Sequence, residues 1–397
     1  MYQKSPEVFD RDAEWDDLVR FVSSTASNAT LGLVYGRRRQ GKSLLLDSLA
    51  REAGGFYFEA GQTTSGQNLA RFNEEWSDWL GHDAPLNYST WQAAIEAALR
   101  HVGERPLPIV LDEFNYLIAA DAGLASTIQR IFAPRSTVRT NSRGRLILCG
   151  SAFTVMAGLL SGTAPLRGRA QLELLLQPFD YLTAARLWGL DRRPQVAFEV
   201  YALLGGTPAY FDLCDRDTPS GVRDVPRWAA RHLLNPASAL HREGRVVVEE
   251  DPSIRDRLLA WSVLAAVVSG ATSRSAIAAA VGREATALSR PLDLLGSIGL
   301  LVRDDDLLRR RRSRYVIGEP IVRAHRLLVA PHERRLARRQ AAAVWDDCEH
   351  AVRSLIYRPA FEQVARDWLE LTGPARAVPP TAVGWTEIAC RDRKSVV

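Results

Sequence analysis

The stretch Thr30-Leu-Gly-Leu-Val-Tyr35-Gly36-Arg37-Arg38-Arg39-Gln40-Gly41-Lys42-Ser43-Leu44 decides the reading of this chain. Its first six residues form an apolar run that predicts a buried strand. From Lys42 to Glu52, Leu44, Leu45, Leu49 and Ala50 recur at helical spacing. Between strand and helix, Gly36 to Ser43 fits G-x-x-x-x-G-K-[ST] at every defined position. The glycines let backbone N–H groups curl around a phosphate, Lys42 reaches the β and γ phosphates, and the Ser43 hydroxyl suits Mg²⁺. The expected nucleotide-binding residues are therefore Gly36, Arg37, Arg38, Arg39, Gln40, Gly41, Lys42, Ser43 and Leu44. The bland alternative is a glycine-containing turn with an ordinary surface lysine, but the position between strand and helix argues against it. The three loop arginines either help hold a nucleotide or a partner, or form a solvated loop face.

Downstream, apolar runs predict strands at Gly55–Glu59, Leu107–Leu111, Arg145–Cys149 and Gln171–Leu176. Helical spacing predicts helices at Asn68–Leu80, Thr90–His101, Ala122–Phe132 and Ala152–Leu160. Almost wholly apolar strands alternating with helices imply a parallel sheet covered on both faces, hence an α/β domain over residues 1–178. The strand Pro108-Ile-Val-Leu ends in Asp112-Glu113. Mg²⁺ prefers oxygen ligands and keeps much of its water shell, so Asp112 suits the metal, and Glu113 is placed to polarise an attacking water as general base. Alone, the pair reads sooner as a helix N-cap followed by a solvated acid; paired with the upstream phosphate loop, it reads as the functional pair. The fourth strand ends in Gly150-Ser151, at the sheet edge where ligands bind in open parallel sheets. Ser151 either senses the γ-phosphate and positions water, or caps the helix expected from Ala152. In Pro165-Leu-Arg167-Gly-Arg169, either arginine, Arg169 ahead, is a candidate arginine finger, with surface salt bridging as the alternative.

After Pro178 the strands give way to helices at Tyr181–Leu187, Gln195–Leu204 and Arg227–Leu234, interrupted by Gly205-Gly206-Thr207-Pro208. Helices at Asp256–Ser269, Arg274–Ala280 and Thr286–Ile298 are followed by Gly299–Arg303, a charged loop and Arg314–Ile317, the order of a winged helix. Thr286–Ile298 is then the recognition helix, with Arg283 and Arg290 toward duplex DNA and the Asp304–Ser313 loop, containing Arg309 to Arg312, along phosphates. A module used only for protein packing is the alternative. From Arg303 to Gln340 twelve arginines face five acids, a local basic excess that marks a candidate contact with nucleic acid or a protein partner. Arg323–Gln340 reads as a boundary.

The 397 residues are 46% apolar and 24% charged, which excludes a disordered or fibrous chain and calls for more than one module. The longest nearly uninterrupted apolar run, Leu258–Val268, is too short to cross a bilayer. With no apolar signal segment in Met1–Asp17, a cytoplasmic location is expected. The four cysteines, Cys149, Cys214, Cys348 and Cys390, show no paired spacing and read as reduced thiols. Only three of the 51 basic residues are lysines, a bias that reads as a GC-rich coding sequence rather than as chemistry.

With these motifs in hand, the chain resembles the archaeal-type ATPases on the AAA+/STAND side of the P-loop NTPases. Phe9-Asp-Arg-Asp-Ala-Glu-Trp15 is similar to the family's opening motif, with Trp15 in place of the usual leucine. Val110-Leu-Asp-Glu-Phe114 resembles its Walker B strand, Gly150-Ser151 its sensor segment, and Gly205-Gly206-Thr207-Pro208-Ala-Tyr210 its helical-lid motif. The resemblance implies ATP with Mg²⁺ as ligand and a sheet in the order 5-1-4-3-2. It further implies a helical lid over residues 179–250 and a winged helix over 251–322. In one branch a restriction-endonuclease-like domain follows, and Phe361–Trp368 looks like its first helix. The Asp and Glu-x-Lys of that nuclease site are missing here, so residues 323–391 are expected to be a partial domain without nuclease activity. Asp392–Val397 reads as a translated adapter, an artefact. The expected function is ATP hydrolysis that drives or gates movement of the lid and winged helix. A nucleotide-gated DNA-binding regulator with slow or no hydrolysis is the alternative.

Overall fold

The computed structural model describes residues 2–306 and 313–372. The chain divides into two compact units, residues 1–178 and 179–397. In the first, α1 (Asp12–Val22), β1 (Thr30–Tyr35), α2 (Lys42–Ala53), β2 (Phe56–Glu59), α3 (Ser65–Leu80), α4 (Trp91–Val102) and β3 (Pro108–Asp112) follow in order. They are succeeded by α5 (Phe114–Ala120), α6 (Leu124–Ile131), α7 (Thr137–Thr140), β4 (Arg145–Gly150), α8 (Phe153–Gly158) and β5 (Ala170–Leu175). All five strands are parallel, in the spatial order β2-β3-β4-β1-β5. This is the fold of a P-loop NTPase, and the strand bearing Asp112 is separated from the phosphate-loop strand by β4 alone.

The continuous apolar runs follow from burial on both faces. Leu31, Leu33 and Tyr35 of β1 point into a core shared with α3 and α4, whereas Val34 points into one shared with α1 and α2. The first core is anchored by edge-on and stacked aromatic pairs among Phe56, Phe58, Phe72, Trp76 and Trp91. α3 is started by a capping box between Thr64 and Gln67.

The second unit is helical: α9 (Tyr181–Leu187), α10 (Pro194–Leu204), α11 (Ala209–Leu213), α12 (Val225–His232) and α13 (Leu240–Glu249) come first. Gly206 admits no side chain, because a Cβ there would lie 1.8 Å from the Phe179 carbonyl oxygen. The Phe179 N–H in turn donates to the Gly206 carbonyl at 2.8 Å. Then come α14 (Arg257–Val268), α15 (Arg274–Val281), α16 (Ser289–Ser297), and the antiparallel hairpin of β6 (Leu301–Asp305) and β7 (Ser313–Ile317). Three helices and a hairpin therefore occur in the expected order, but α16 begins three residues later than its apolar pattern suggested. Asp304 and Asp305 belong to β6 rather than to a loop. Arg309–Arg312 lie outside the described residues. α17 (Pro320–Ala324), α18 (Glu333–Ala337), α19 (Ala341–Ala351) and α20 (Arg358–Thr372) close the described chain.

In the arginine-rich 323–340 segment Arg334, Arg338 and Arg339 are exposed, while Arg323 turns inward. Arg323 is buried and donates to the Ile317 carbonyl at 3.0 Å, and burial pushes its guanidinium down to about 10. Arg326 lies over the Trp261 ring, 5.5 Å from its centroid. Phe361–Trp368 falls within α20, while residues 384–388 and 392–397 lie outside the described residues, as does Cys390. Cys149, Cys214 and Cys348 are buried free thiols. Among the described residues no helix is long and apolar enough to cross a membrane.

Candidate functional site

The carboxyl ends of β1, β3 and β4 converge on one edge of the sheet, because the three strands are adjacent, parallel and in register. The loop after β1 turns at Gly36, Arg39 (φ 68°) and Gly41 (φ 84°). A Cβ on Gly36 would lie 2.4 Å from the Leu176 carbonyl oxygen. At Gly41 there is open space, but the left-handed backbone favours glycine. The loop thereby delivers the first N–H groups of α2 to the sheet edge, where the helix has no internal acceptors for them and its dipole favours an anion. Gly36, Gln40 and Lys42 are buried, while Arg38, Gly41, Ser43 and Leu44 are exposed and Arg37 and Arg39 are intermediate.

Lys42 turns back into its own loop, donating from Nζ to the carbonyls of Gly36 at 2.9 Å and Arg37 at 2.8 Å. Burial lowers its pKa, and the nearby negative charges of Glu113 and Asp112 work against that shift. Asp112 is fully buried at the end of β3. Its Oδ1 accepts the Glu113 N–H at 2.7 Å and its Oδ2 accepts the Tyr57 hydroxyl at 2.6 Å. Ser43 and Asp112 offer oxygen donors on either side of the Tyr57 phenol, which is bonded to Asp112, so the pair fits a hard divalent cation.

Glu113 is a non-glycine residue in the left-handed region, φ 49° and ψ 39°, a strain of roughly 1–2 kcal/mol. The turn aims its carboxylate across β4, where Oε2 accepts the Ser151 hydroxyl at 2.9 Å. The Asn115 side-chain oxygen accepts the Ser151 N–H at 3.0 Å. Ser151 does not cap the following helix: α8 starts after Ala152, and no side chain caps it. The hydroxyl goes to Glu113 instead.

Lys42, Ser43, Asp112, Glu113 and Ser151 are therefore joined at one edge. Arg169 is not brought to them by any hydrogen bond or ion pair among the described residues. It is half-buried ahead of β5, and only its N–H is engaged, by Leu166. Arg167 is exposed and donates to the Gly162 carbonyl at 2.6 Å. Among the described residues neither forms the salt bridge weighed from sequence.

Three residues of the site carried no assignment from sequence. Arg11 is buried and donates to the carbonyls of Gln177 at 2.7 Å and Gln40 at 3.3 Å while pairing with Glu14 at 2.8 Å, so it ties the phosphate loop to the end of the sheet. Its position in the opening motif was the available signal. Asn115 and Tyr57 are visible only as polar groups within apolar segments.

The geometry presents phosphate-facing N–H groups and a lysine beside two carboxylates of different surroundings. A model of ATPase domains predominantly from Archaea matches residues 8–212, just over half of the chain, and this span contains the whole site. The Walker-type ATPase PABY2304 of Pyrococcus abyssi superposes with a TM-score of 0.59 at 20% identity, over 82% of this chain and 97% of that one. The ORC2 protein of Aeropyrum pernix, solved as ADPNP and ADP complexes, superposes with a TM-score of 0.51 at 12% identity, over 87% and 97%. At these identities the two structures speak for the fold alone. Among curated proteins none matches significantly. Phosphate loop, acidic strand end and family match coincide on the same residues, and the chain belongs to the family of ATPase domains found predominantly in Archaea.

Proposed function

We propose that the chain is a Mg²⁺-dependent ATPase that hydrolyses ATP to ADP and phosphate. The observation that carries this reading is the junction of Lys42, Asp112, Glu113 and Ser151 at adjacent strand ends. The N–H groups from Gly41 to Leu44 and the Lys42 ammonium hold the β and γ phosphates, with Gly36 to Gln40 shaping the loop. For Lys42 this requires exchanging two loop carbonyls for phosphate oxygens. Ser43 and Asp112 would hold Mg²⁺, which when bound neutralises charge developing on the phosphates. Glu113 takes a proton from water as its oxygen attacks the γ-phosphorus and the bond to the ADP oxygen breaks. Ser151 holds the Glu113 carboxylate by one hydrogen bond until the water arrives. Arg169, free of an ion pair among the described residues, remains available as the arginine that stabilises the transferring phosphoryl group. The test is nucleotide binding with Lys42→Ala: loss of binding supports the assignment, and full retention refutes it.

In this reading residues 1–178 form the ATPase domain, 179–250 a lid and 251–322 a winged helix, with nucleotide state gating the latter two. A second reading is a nucleotide-gated DNA-binding regulator, favoured by the exposed Arg283 and Arg290 beside α16. Of the hairpin acids, Asp304 is paired with Arg314 at 3.0 Å and Arg366 at 2.7 Å, and Asp305 with Arg303 at 3.1 Å. It predicts ATP-dependent duplex binding that weakens steeply with salt. A mobility shift that is absent, or indifferent to ATP, removes this reading.

A further inference from the structure

The ATPase reading uses Ser43 and Asp112 and leaves Tyr57 without a task, yet the Tyr57 hydroxyl lies between them. It donates to Asp112 Oδ2 at 2.6 Å, and the Ser43 side chain lies beside the same phenol. Both oxygens of Asp112 are already approached: Oδ1 takes the Glu113 N–H and Oδ2 the phenol, and the buried Cys149 thiol lies nearby. A cation, or a water bound to it, that comes to Oδ2 from the Ser43 side therefore meets the Tyr57 hydroxyl.

The local build allows that hydroxyl to leave. β2 is an edge strand, with β3 as its sole strand neighbour. Its pleat sends Phe56 and Phe58 into the aromatic core, which pins the backbone. Tyr57 projects to the opposite face, packed only partly against the α2 layer, and is itself part-exposed. A rotation of one side chain, with no movement of the strand, opens the space between Ser43 and Asp112. A structural tyrosine at a strand edge would be equally satisfied by water; this one instead lies between two groups on different elements.

We propose that Tyr57 is a displaceable latch whose hydroxyl occupies the position that the divalent cation or its bound water takes between Ser43 and Asp112. The latch sets how much Mg²⁺ the site requires. The cation must displace a hydrogen bond to a carboxylate, a competition that removing the hydroxyl abolishes. The proposal rests on the Mg-ATP reading above and deepens it.

The experiment is binding of a fluorescent ADP analogue to the purified full chain, titrated with MgCl₂ from an EDTA-buffered start, for wild type, Tyr57→Phe and Lys42→Ala. Phenylalanine keeps the ring and its packing, and equal affinity in EDTA together with an unchanged melting temperature shows that the variant is folded. The latch predicts that Tyr57→Phe lowers the Mg²⁺ midpoint about ten-fold, the scale of a lost hydrogen bond to a charged group. An unchanged midpoint overturns it, since the hydroxyl is then not in the cation's way. A raised midpoint also overturns it, because the phenol then holds Asp112 in place for the cation. A wild type whose affinity ignores Mg²⁺ and Lys42→Ala alike refutes the proposed function itself, and the latch with it.

Discussion

Gly150→Ala tests whether the acidic turn and the end of β4 function as one unit. Gly150 pairs with Tyr35 across β1 and directly precedes Ser151. A Cβ at this position would lie 2.6 Å from Asn115 Oδ1 and 2.8 Å and 2.9 Å from the sulfur and Cγ of Met156. Met156 is fully buried and cannot swing into solvent. Overpacking of this kind costs about 1–3 kcal/mol. Moving Asn115 also strands the Ser151 N–H that its oxygen now accepts, for roughly 1–3 kcal/mol more if that group stays buried. The expected total is about 2–6 kcal/mol, read as a lower denaturation midpoint with an unchanged slope. Because Ser151 also holds Glu113, turnover should fall by more than nucleotide binding does. Gly158→Ala is the control: it ends a helix, a Cβ there meets nothing within 4 Å, and it should be neutral or stabilising by up to about 1 kcal/mol. A Gly150→Ala protein as stable and as active as wild type would refute the reasoning.

Arg11→Ala removes the guanidinium that ties Gln40 and Gln177 together, and loss of these charge-assisted bonds should cost about 2–3 kcal/mol and weaken nucleotide binding in a filter or fluorescence assay; binding at wild-type strength would show that the loop holds its shape unaided. In the second unit, burial depresses His325 to about 4 from 6.5, with the charges of Arg326, His241 and Arg245 adding to the effect. The unfolded chain therefore takes up the proton first, so stability is full above about 6.5 and is lost as pH falls toward 4, by about 2–3 kcal/mol at pH 4.5. His325→Gln should flatten the dependence of unfolding free energy between pH 7.5 and 4.5, and an identical slope would exclude His325 as its source.

Where local signals agreed, the sequence carried the fold. Thr30–Tyr35 and Tyr181–Leu187 form elements with the predicted bounds, one bounded by the glycine loop and the other started by the Asp180 side chain accepting the Thr183 N–H at 2.7 Å. The order of strands, by contrast, came from family resemblance, since no local pattern orders parallel strands. Leu240–Glu249 is a helix for which the sequence raised no expectation, and Gly244 lies within it. The glycine is required there: a Cβ would lie 2.3 Å from His325 Cβ and 2.8 Å from the Ile321 carbonyl oxygen. Charge counting does not resolve Arg323, because net charge ignores which guanidinium finds a carbonyl inside the core. The chemical groups of the site were legible as a motif, but their connections were not. That Ser151 bonds Glu113 rather than capping α8, and that Tyr57 reaches Asp112, depend on contacts 38 and 55 residues apart along the chain.

The central claim is that Glu113 activates water at a site whose nucleotide is held by other groups. Single-turnover release of phosphate from Mg-ATP by wild type and Glu113→Gln, alongside ATP affinity for both, tests it most directly. The amide keeps the shape of the carboxylate and can still accept from Ser151, so affinity should change by less than about three-fold. Phosphate release should fall by about 10²-fold or more, the scale of a lost general base. Release by Glu113→Gln at the wild-type rate would contradict the account.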